Sequence, residues 1–410
     1  MTHIEQMIQD LCPNGVEWKK LGEVCEILDA KRKPVTKSQR ASGEYPYYGA
    51  NGIQDYVNDY IFDGTFLLIG EDGSVINKDK SPVINWAKGK IWVNNHAHIL
   101  SEKRDIVLLR FLYYYLQTID VSDLVWGTPP KLNQQNLRSI EIPLPPLEIQ
   151  KKIVECLDKF SALAAELQAE LQKRRTQYEY YRTRLLTPPP TENISSDNST
   201  DESKWEWLPL KELIVSLKTG LNPRSNFQLN TPESTIPYIT GKDIYGNIIN
   251  VTSLTDLIDT KARDLINKRA CLEGNILLFA STGTGTVGRM AYIEDYNNDW
   301  AMSETLYAIK TKETLLPRYL MHCLYSPICR SQFDGKISRG SVPHLKVVDL
   351  LNVKIPLLPL NEQARIVAIL DKFEALTTSL SDGIPAEQAT QQKRYEYYRD
   401  LLLTFDRKNV

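Results

Sequence analysis

Residues 143–163 read PLPPLEIQKKIVECLDKFSAL, and residues 356–376 read PLLPLNEQARIVAILDKFEAL. The two stretches align without gaps and are identical at 13 of 21 positions. The run YEYYR also occurs twice, at residues 178–182 and 395–399, and a Leu-Leu-Thr triplet follows each copy. An internal repeat decides the architecture before any local assignment is made. The chain is therefore built from two copies of one unit, each of which ends in these motifs.

The repeated stretches have the residue pattern of helices that pack against another helix. Their core positions alternate spacings of four and three, a heptad pattern that predicts a coiled-coil partner. In the first copy these positions are Ile153, Leu157, Phe160, Ala164, Leu167, Leu171, Arg174, Tyr178, Tyr181 and Leu185. In the second copy four extra residues precede Tyr395, and Gly383 and Pro385 among them predict a helix in two pieces. A single amphipathic helix inside an ordinary core is the alternative, but two matched helices favour mutual antiparallel pairing.

The helices divide the chain into two domains and their spacers. Pro145 and Pro146 precede the first helix, Pro188 ends it, and residues 191–204 have the polar composition of a solvated linker. We expect a first domain at residues 1–142, a first helical spacer at 143–187, a flexible linker at 188–204, a second domain at 205–355 and a second helical spacer at 356–410.

The two domains share landmarks and differ between them. Glu17-Trp18 near the start of the first domain matches Glu206-Trp207 in the second. Both domains contain short β-branched and aromatic runs separated by turn residues, and a helix candidate follows at Leu108–Leu116 and at Pro317–Leu324. This pattern predicts an α+β domain with a curved or barrel-like sheet. Matched domains with divergent interiors are expected if each domain recognises a different target.

Composition limits the class of protein. The 410 residues carry a formal net charge of −2, which excludes a strongly basic binder whose affinity rests on phosphates alone. The chain start lacks the features of a signal peptide, and no window has the roughly 18 consecutive apolar residues of a membrane helix, so we expect a cytoplasmic protein. The six cysteines are widely spaced, which predicts neither a zinc site nor a disulfide framework. Any nucleic-acid surface must be local.

Basic and polar residues in loops are the candidates for contact with DNA. In the first domain they are Lys31, Arg32, Lys33, Tyr47, Tyr48, Asn51, Lys131 and Asn133. In the second domain they are Lys218, Arg224, Lys242, Arg339, His344 and Lys346. Lys and Arg can neutralise phosphates, and Asn and Lys on loops can reach base edges. A basic loop is more often a plain solvated face, but the loop at residues 127–133 recurs at residues 340–346 and is basic in both copies.

A glycine-rich loop in the second domain offers a competing, nucleotide-binding interpretation. Residues 283–288 read GTGTVG and match a dinucleotide-binding fingerprint, which should open a helix. The residues after it, Met290–Ile293, read as a strand, so a hairpin loop is favoured. His96 and His98 lie on a predicted strand and are interpreted as packing residues rather than metal ligands.

Taken together, these motifs resemble the specificity subunit of type I restriction-modification enzymes over essentially the whole chain. The motifs that carry the resemblance are residues 143–147, Pro356–Gln363, the two YEYYR runs, and Pro46–Ala50 with Gly52. One departure is Ile149, where the second copy has Glu362. The resemblance implies two target-recognition domains in inverted orientation and a pseudo-two-fold arrangement. It also implies that two long helical spacers separate them as an antiparallel coiled coil.

The resemblance also implies partners and a non-catalytic role. The implied partners are double-stranded DNA, two methyltransferase subunits that bind S-adenosylmethionine, and ATP-dependent restriction subunits, with no cofactor or metal on this chain. The sequence contains no Asn-Pro-Pro-aromatic motif and no Gly-Lys-Ser/Thr phosphate loop. We expect each domain to read half of a bipartite asymmetric DNA site, and the helices to set the spacer between the halves.

The tyrosine-rich helix ends are the expected docking sites for the methyltransferase subunits, because exposed aromatic runs are typical of protein interfaces. The residues concerned are Tyr178, Tyr181, Tyr395 and Tyr398. Two other functions stay open. One is a coiled-coil adaptor with two protein-binding domains and no DNA readout, and the other is a nucleotide-using oxidoreductase built on the Gly283 loop.

Overall fold

A computed structural model describes residues 3–103, 105–188, 205–249, 254–270, 274–296, 300–379 and 383–408. Its helices are α1 His3–Leu11, α2 Leu21–Val24, α3 Leu109–Leu116, α4 Gln134–Ser139, α5 Leu147–Leu185, α6 Leu210–Leu213, α7 Pro223–Asn226, α8 Thr260–Ala270, α9 Pro317–Tyr325, α10 Pro327–Arg330, α11 Val347–Leu351, α12 Leu360–Thr378 and α13 Ile384–Leu402. Within these ranges, no helix is both long enough and apolar enough to cross a membrane. The predicted linker at residues 191–204 lies outside the described residues.

The strands alternate with these helices along the chain. They are β1 Glu17–Lys20, β2 Cys25–Ile27, β3 Ser42–Gly49, β4 Gly52–Val57, β5 Phe62–Gly70, β6 Ile84–Val93, β7 Ala97–Glu102, β8 Glu141–Leu144, β9 Glu206–Pro209, β10 Ile214–Thr219, β11 Ile236–Ile239, β12 Ile244–Tyr245, β13 Ile248–Ile249, β14 Leu257–Ile258, β15 Gly274–Ala280, β16 Met290–Tyr296, β17 Ala301–Met302, β18 Leu306–Thr311 and β19 Lys354–Leu357. The chain thus has the mixed helix and sheet content expected from its sequence.

The chain forms two compact units whose boundaries fall inside helices. The first unit consists of Met1–Glu166 and Gln388–Val410, and the second of Leu167–Glu387. Each unit therefore contains one sheet-rich domain, the adjoining part of α5, and a helix from the second repeat.

A mixed sheet of six strands forms the centre of the first unit. The strand order is β2-β7-β5-β6-β3-β4, and the only parallel pair within it joins β3 to β6. The apolar run at the end of β5 serves two cores, because successive strand residues point to opposite faces. Leu67 and Ile69 pack with α3, whereas Phe66 and Leu68 pack with Ile99 on the other face. Burial on both faces explains why this strand reads as continuously apolar.

The second unit repeats this arrangement in smaller sheets. One sheet has the order β10-β18-β15-β16, and another has the order β14-β11-β17 with β11 parallel to β17. Strand β16 comes directly after the glycine-rich loop and pairs antiparallel with β15. The hairpin interpretation of residues 283–288 is therefore confirmed, and the nucleotide-binding fingerprint is excluded because no helix opens there.

A buried glutamine ties each long helix to its domain. Gln150 accepts a hydrogen bond from the Leu108 amide at 2.9 Å and donates to the carbonyls of Ile106 and Pro145. Gln363 makes the same three contacts in the second unit, including one to the Leu316 amide at 2.9 Å. Neither α3 nor α9 has a side-chain cap of its own, and the glutamine accepts the hydrogen bond of the backbone amide at the helix start instead. This shared role explains why both repeats have glutamine at this position.

Both units contain the same contact between helices of different repeats. In the first unit, Phe160 on α5 stacks on Tyr398 of α13 with ring centroids 5.5 Å apart. In the second unit, Phe373 on α12 stacks on Tyr181 of α5 at 5.3 Å. Phe160 and Phe373 are equivalent in the repeat, as are Tyr398 and Tyr181. Helices α12 and α13 are separate, as Gly383 and Pro385 predict, and residues 380–382 between them are outside the described ranges.

Candidate nucleic-acid interface

Two loops of the first unit are joined edge to edge beside the end of β5. The first loop comes after β5, and the second is the basic loop at residues 127–133. The Leu132 amide donates to the Glu71 carbonyl at 2.8 Å, and the Gly73 amide donates to the Pro130 carbonyl at 2.9 Å. Backbone hydrogen bonds of this kind fix the loop geometry whatever side chains it carries.

The second unit joins the corresponding loops in the same way. The Leu345 amide donates to the Ser281 carbonyl at 2.8 Å, and the Gly283 amide donates to the Pro343 carbonyl at 3.0 Å. The loops at residues 127–133 and 340–346 are therefore structural equivalents, as their shared motif suggests. Lys131 takes the place of His344, and Asn133 that of Lys346.

A side chain on a central strand fastens each basic loop from below. His98 on β7 contacts the Leu132 carbonyl through Nε2 at 2.8 Å, and Tyr307 on β18 donates its hydroxyl to the Leu345 carbonyl at 2.8 Å. The other ring nitrogen of His98 lies 2.6 Å from a carboxylate oxygen of Asp29. The two contacts fix the orientation of the His98 ring between the loop and the carboxylate. The interpretation of His98 as a packing residue thus needs a positioning role added to it.

The carboxylate of Asp29, beside His98, is itself buried. Burial raises the pKa of Asp29, but hydrogen bonds from His98, Gln134 and the Ile99 amide outweigh burial and hold the pKa below its ordinary value. Glu71 adds a second carboxylate, and Asp29, Glu71 and His98 have donor atoms close enough to hold a metal ion. The two carboxylates already bind Arg32, Gln134 and the loop residue Lys131, so we assign the cluster to holding the loops.

Three sequence candidates in the first unit make contacts within the protein, and two of them are buried. Arg32 forms an ion pair with Glu71 and donates to the Ala97 carbonyl. Tyr47 is 1% exposed and Tyr48 is 9% exposed, because both lie in strand β3 and face the core. Tyr47 and Tyr48 are buried and present no surface to a duplex, whereas Arg32 is half-buried and its contact with DNA stays a prediction.

The remaining candidates of the first unit lie at the surface. Lys31, Lys33, Asn51, Lys131 and Asn133 are exposed. Lys131 lies 3.1 Å from Glu71 and keeps half of its side-chain surface in solvent. Asn133 caps α4 by accepting a hydrogen bond from the amide three residues on, which leaves its side-chain NH₂ as the free donor.

The candidates of the second unit fall into two groups. Lys218, Arg224, Lys242, Arg339 and Lys346 are exposed, and Lys242 forms an ion pair with Asp256 at 2.7 Å. His344 is half-buried, with its Nδ1 2.8 Å from the Thr282 hydroxyl. Ile239 in the parallel pair β11–β17 occupies the same position as Tyr48 in the parallel pair β3–β6. Lys242 and Asn51 each follow three residues later, so they are equivalent.

The tyrosine runs differ from expectation. Tyr178 is buried in the second unit's core, and Tyr181, Tyr395 and Tyr398 are half-buried by the phenylalanine contacts. Tyr178 therefore offers no surface for docking, whereas Tyr181, Tyr395 and Tyr398 are partly free as expected and their docking role stays a prediction. The exposed members of the runs are Tyr180 and Tyr397, at 57% and 63%. They occupy the third position of YEYYR, which lies outside the heptad pattern.

Known proteins share this arrangement. The family model described as "Type I restriction modification DNA specificity domain" matches residues 13–174 and 202–388. The chain is 37% identical to "Putative type I restriction enzyme specificity subunit S.HindORF215P" of Haemophilus influenzae, over 98% of both chains. It is 29% identical to the specificity subunit of the EcoR124I/EcoR124II enzyme of Escherichia coli, over 99% of this chain and 97% of the relative.

A solved structure agrees with the fold. The S subunit of a type I restriction-modification system from M. genitalium matches with a TM-score of 0.60 at 14% identity, over 95% of this chain and 96% of that chain. A duplicated domain with equivalent loops, a family model that covers both copies, and a relative 37% identical over nearly the full length agree with one another. The chain belongs to the family of type I restriction-modification DNA specificity subunits.

Proposed function

We propose that each of the two domains reads one half of a bipartite, asymmetric DNA site through its paired loops. The observation that carries the proposal is the equivalence of the loop frames. The same backbone hydrogen bonds hold residues 127–133 in the first unit and residues 340–346 in the second, with different side chains on them.

Different side chains on one frame are the expected design for reading different bases. Lys131 and Asn133 in the first unit correspond to His344 and Lys346 in the second. Asn bonds best to adenine and Lys to guanine in the major groove, so the two domains present different donor patterns to DNA. An asymmetric site results, because neither half would repeat the other.

The charge of the chain fits a local rather than a general DNA surface. Lys131 is paired with Glu71 and Lys242 with Asp256, so both lysines are positioned before DNA arrives. Each lysine keeps about half of its side-chain surface in solvent, where a phosphate or a base edge can reach it. Lys346 and Arg339 are exposed on the equivalent loop of the second unit.

The helices are proposed to form an antiparallel coiled coil that sets the spacing of the half-sites. Along α5, Phe160 contacts residues 395 and 398, whereas Tyr178 contacts residue 373, so partners run in reverse order along the chain. Helix α5 has 39 residues, and a rise of about 1.5 Å per residue gives it a length near 58 Å. Half-sites one turn apart have centres separated by about 34 Å, which this length can span.

The same proposal assigns partners to the chain. The chain is proposed to act in the cytoplasm and to bind two methyltransferase subunits, which hold S-adenosylmethionine. The resulting complex is proposed to bind ATP-dependent restriction subunits. Tyr180 and Tyr397 supply exposed aromatic surface at equivalent places, and aromatic residues are enriched at protein interfaces. A specificity subunit itself needs no catalytic group, so catalysis is assigned to its partners.

The proposal is tested by expressing the chain with its methyltransferase in a host that lacks DNA methylation, and then mapping modified bases. We expect one methylated motif with two unlike halves and an unread spacer. A coiled-coil adaptor without DNA readout would give unmethylated DNA or methylation independent of sequence, and either result would refute the proposal. A catalytically inactive methyltransferase variant, expressed with the same chain, is the matched control.

A further inference from the structure

A buried charge cluster in the second unit has an electrically neutral counterpart in the first. In the first unit, Arg110 on α3 pairs with Asp158 on α5 at 2.8 Å, and the neutral side chains of Tyr114 and Ser161 complete the cluster. The four corresponding residues of the second unit are Arg318, Asp371, His322 and Glu374. The second repeat therefore keeps the Arg–Asp pair and adds an imidazole and a carboxylate.

In the second unit two carboxylates share one guanidinium and one imidazole. Arg318 lies 2.9 Å from Asp371 and 3.8 Å from Glu374, so one guanidinium serves two carboxylates. Arg182, which also contacts this core, is already paired with Glu179. Glu374 is 6% exposed; Asn247 hydrogen-bonds to its carboxylate, but Oε2 has no hydrogen-bond partner among the described residues. A buried carboxylate whose partners leave one oxygen unsatisfied is costly, and a proton or a cation on that oxygen removes the cost.

The donor atoms of this cluster fit a metal ion. His322, Asp371 and Glu374 each offer one ligand atom, and these atoms all lie within 4.8 Å of one another. The imidazole Nε2 is 2.9 Å from Asp371 Oδ1, and both face the carboxylate of the next helical turn. One nitrogen and two carboxylate oxygens are ligands that zinc accepts, at about 2.0–2.2 Å from the ion.

The surrounding groups resemble the outer shell of a metal site. Tyr178 Oη lies 3.3 Å from His322 Nδ1 and can accept its hydrogen once Nε2 binds an ion. Arg318 holds both oxygens of Asp371, with Nε 2.9 Å from Oδ2 and Nη2 3.0 Å from Oδ1, the oxygen that faces the imidazole. Metal-bound histidines and carboxylates usually have such outer partners, which fix the tautomer and the orientation of the ligands.

We propose that His322, Asp371 and Glu374 form a binding site for a zinc-class divalent cation, which joins α9 of the second domain to spacer helix α12. The ion would fasten the domain to the helix at the place where the first unit uses the neutral Tyr114 and Ser161. The first domain would then be joined to its helix without metal, and the second with it.

The test uses the full-length chain, stripped of metal with a chelator, dialysed against zinc chloride and assayed for bound zinc against a chromophoric competitor. We expect one zinc ion per wild-type chain and its loss in the double variant His322→Tyr with Glu374→Ser, which copies the first unit. Glu374→Gln alone, which keeps the shape and removes the charge, should also lose it. Tyr178→Phe should weaken zinc binding by about tenfold or more.

The matched control is His98→Tyr, which copies Tyr307 into the other histidine–carboxylate cluster and should leave zinc binding unchanged. Zinc bound equally by wild type and by the His322→Tyr, Glu374→Ser variant, or lost in His98→Tyr, would overturn the proposal. Wild type that binds no zinc would overturn it as well, because a proton alone would then neutralise Glu374. Circular dichroism spectra of all variants establish that the comparison is between folded chains.

Discussion

Lengthening the paired helices by four residues should lengthen the unread DNA spacer and leave both half-sequences unchanged. The insertion duplicates residues 164–167 within α5, at the boundary of the two units. It also adds four residues after Ser379, between α12 and α13. The stacking of Phe160 on Tyr398 lies on one side of this point and that of Phe373 on Tyr181 on the other, so both contacts are kept.

The expected size of the effect is set by helix geometry. Four residues add about 6 Å along the axis and rotate the remainder of the helix by about 40°, since 3.6 residues complete a turn. B-DNA rises about 3.4 Å and turns about 35° per base pair, given 10–10.5 base pairs per turn. The translation corresponds to between one and two base pairs and the rotation to about one. We therefore predict a spacer longer by one or two base pairs.

The assay is modified-base sequencing of DNA from cells that express each variant with the methyltransferase. A two-residue insertion at the same points is the matched control, because it rotates the helices by about 200° and turns their apolar face away from its partner. That variant should not methylate DNA. If the four-residue variant methylates normally with an unchanged spacer, the helices do not set the spacing and this reasoning fails.

Three further predictions concern single residues. Lys131→Ala and, separately, Lys346→Ala should each lower the DNA affinity of the assembled methyltransferase, and loss of a phosphate contact should reduce by about one the slope of log affinity against log salt concentration. Unchanged affinity and slope in both variants would show that these loops are ordinary solvated surface. Tyr178→Ala should lower the free energy of unfolding by about 3 kcal/mol, because it leaves a cavity in the core. Tyr180→Ala should change the free energy of unfolding by less than about 0.5 kcal/mol but weaken co-purification with the methyltransferase, and full co-purification would exclude a docking role for Tyr180. The pKa of Asp29 is lower in the folded than in the unfolded chain, so its carboxylate stabilises the fold above the unfolded pKa of about 4, and this contribution is lost as pH falls through the folded pKa. Denaturant melts should therefore show a smaller loss of stability at acid pH in Asp29→Asn than in wild type, and an identical loss would contradict the assignment.

The repeat made the architecture predictable, because identical core positions require identical packing partners. Pro146 and Pro188 bracket α5, and Gly383 with Pro385 separates α12 from α13, since proline and glycine act through the backbone alone. The hairpin at Gly283 was predictable for the same reason, as the residues after it have strand character.

The candidate site was less predictable, because burial depends on residues far apart in sequence. Arg32 reads as part of a basic run, yet it forms an ion pair with Glu71, 39 residues further on, and is half-buried. Tyr47 and Tyr48 lie in a strand whose sheet is completed by β6, about 45 residues later. The positioning role of His98 depends on a carbonyl 34 residues away, which no local pattern could reveal.

The central claim, that each domain reads one half of the site, is tested most directly by exchanging residues 20–140 for the same region of a relative with a different methylated motif. Modified-base sequencing would map the motif before and after the exchange. We predict that one half changes to that of the relative, while the other half and the spacer length stay the same. A change in both halves, or in neither half with methylation intact, would contradict the account.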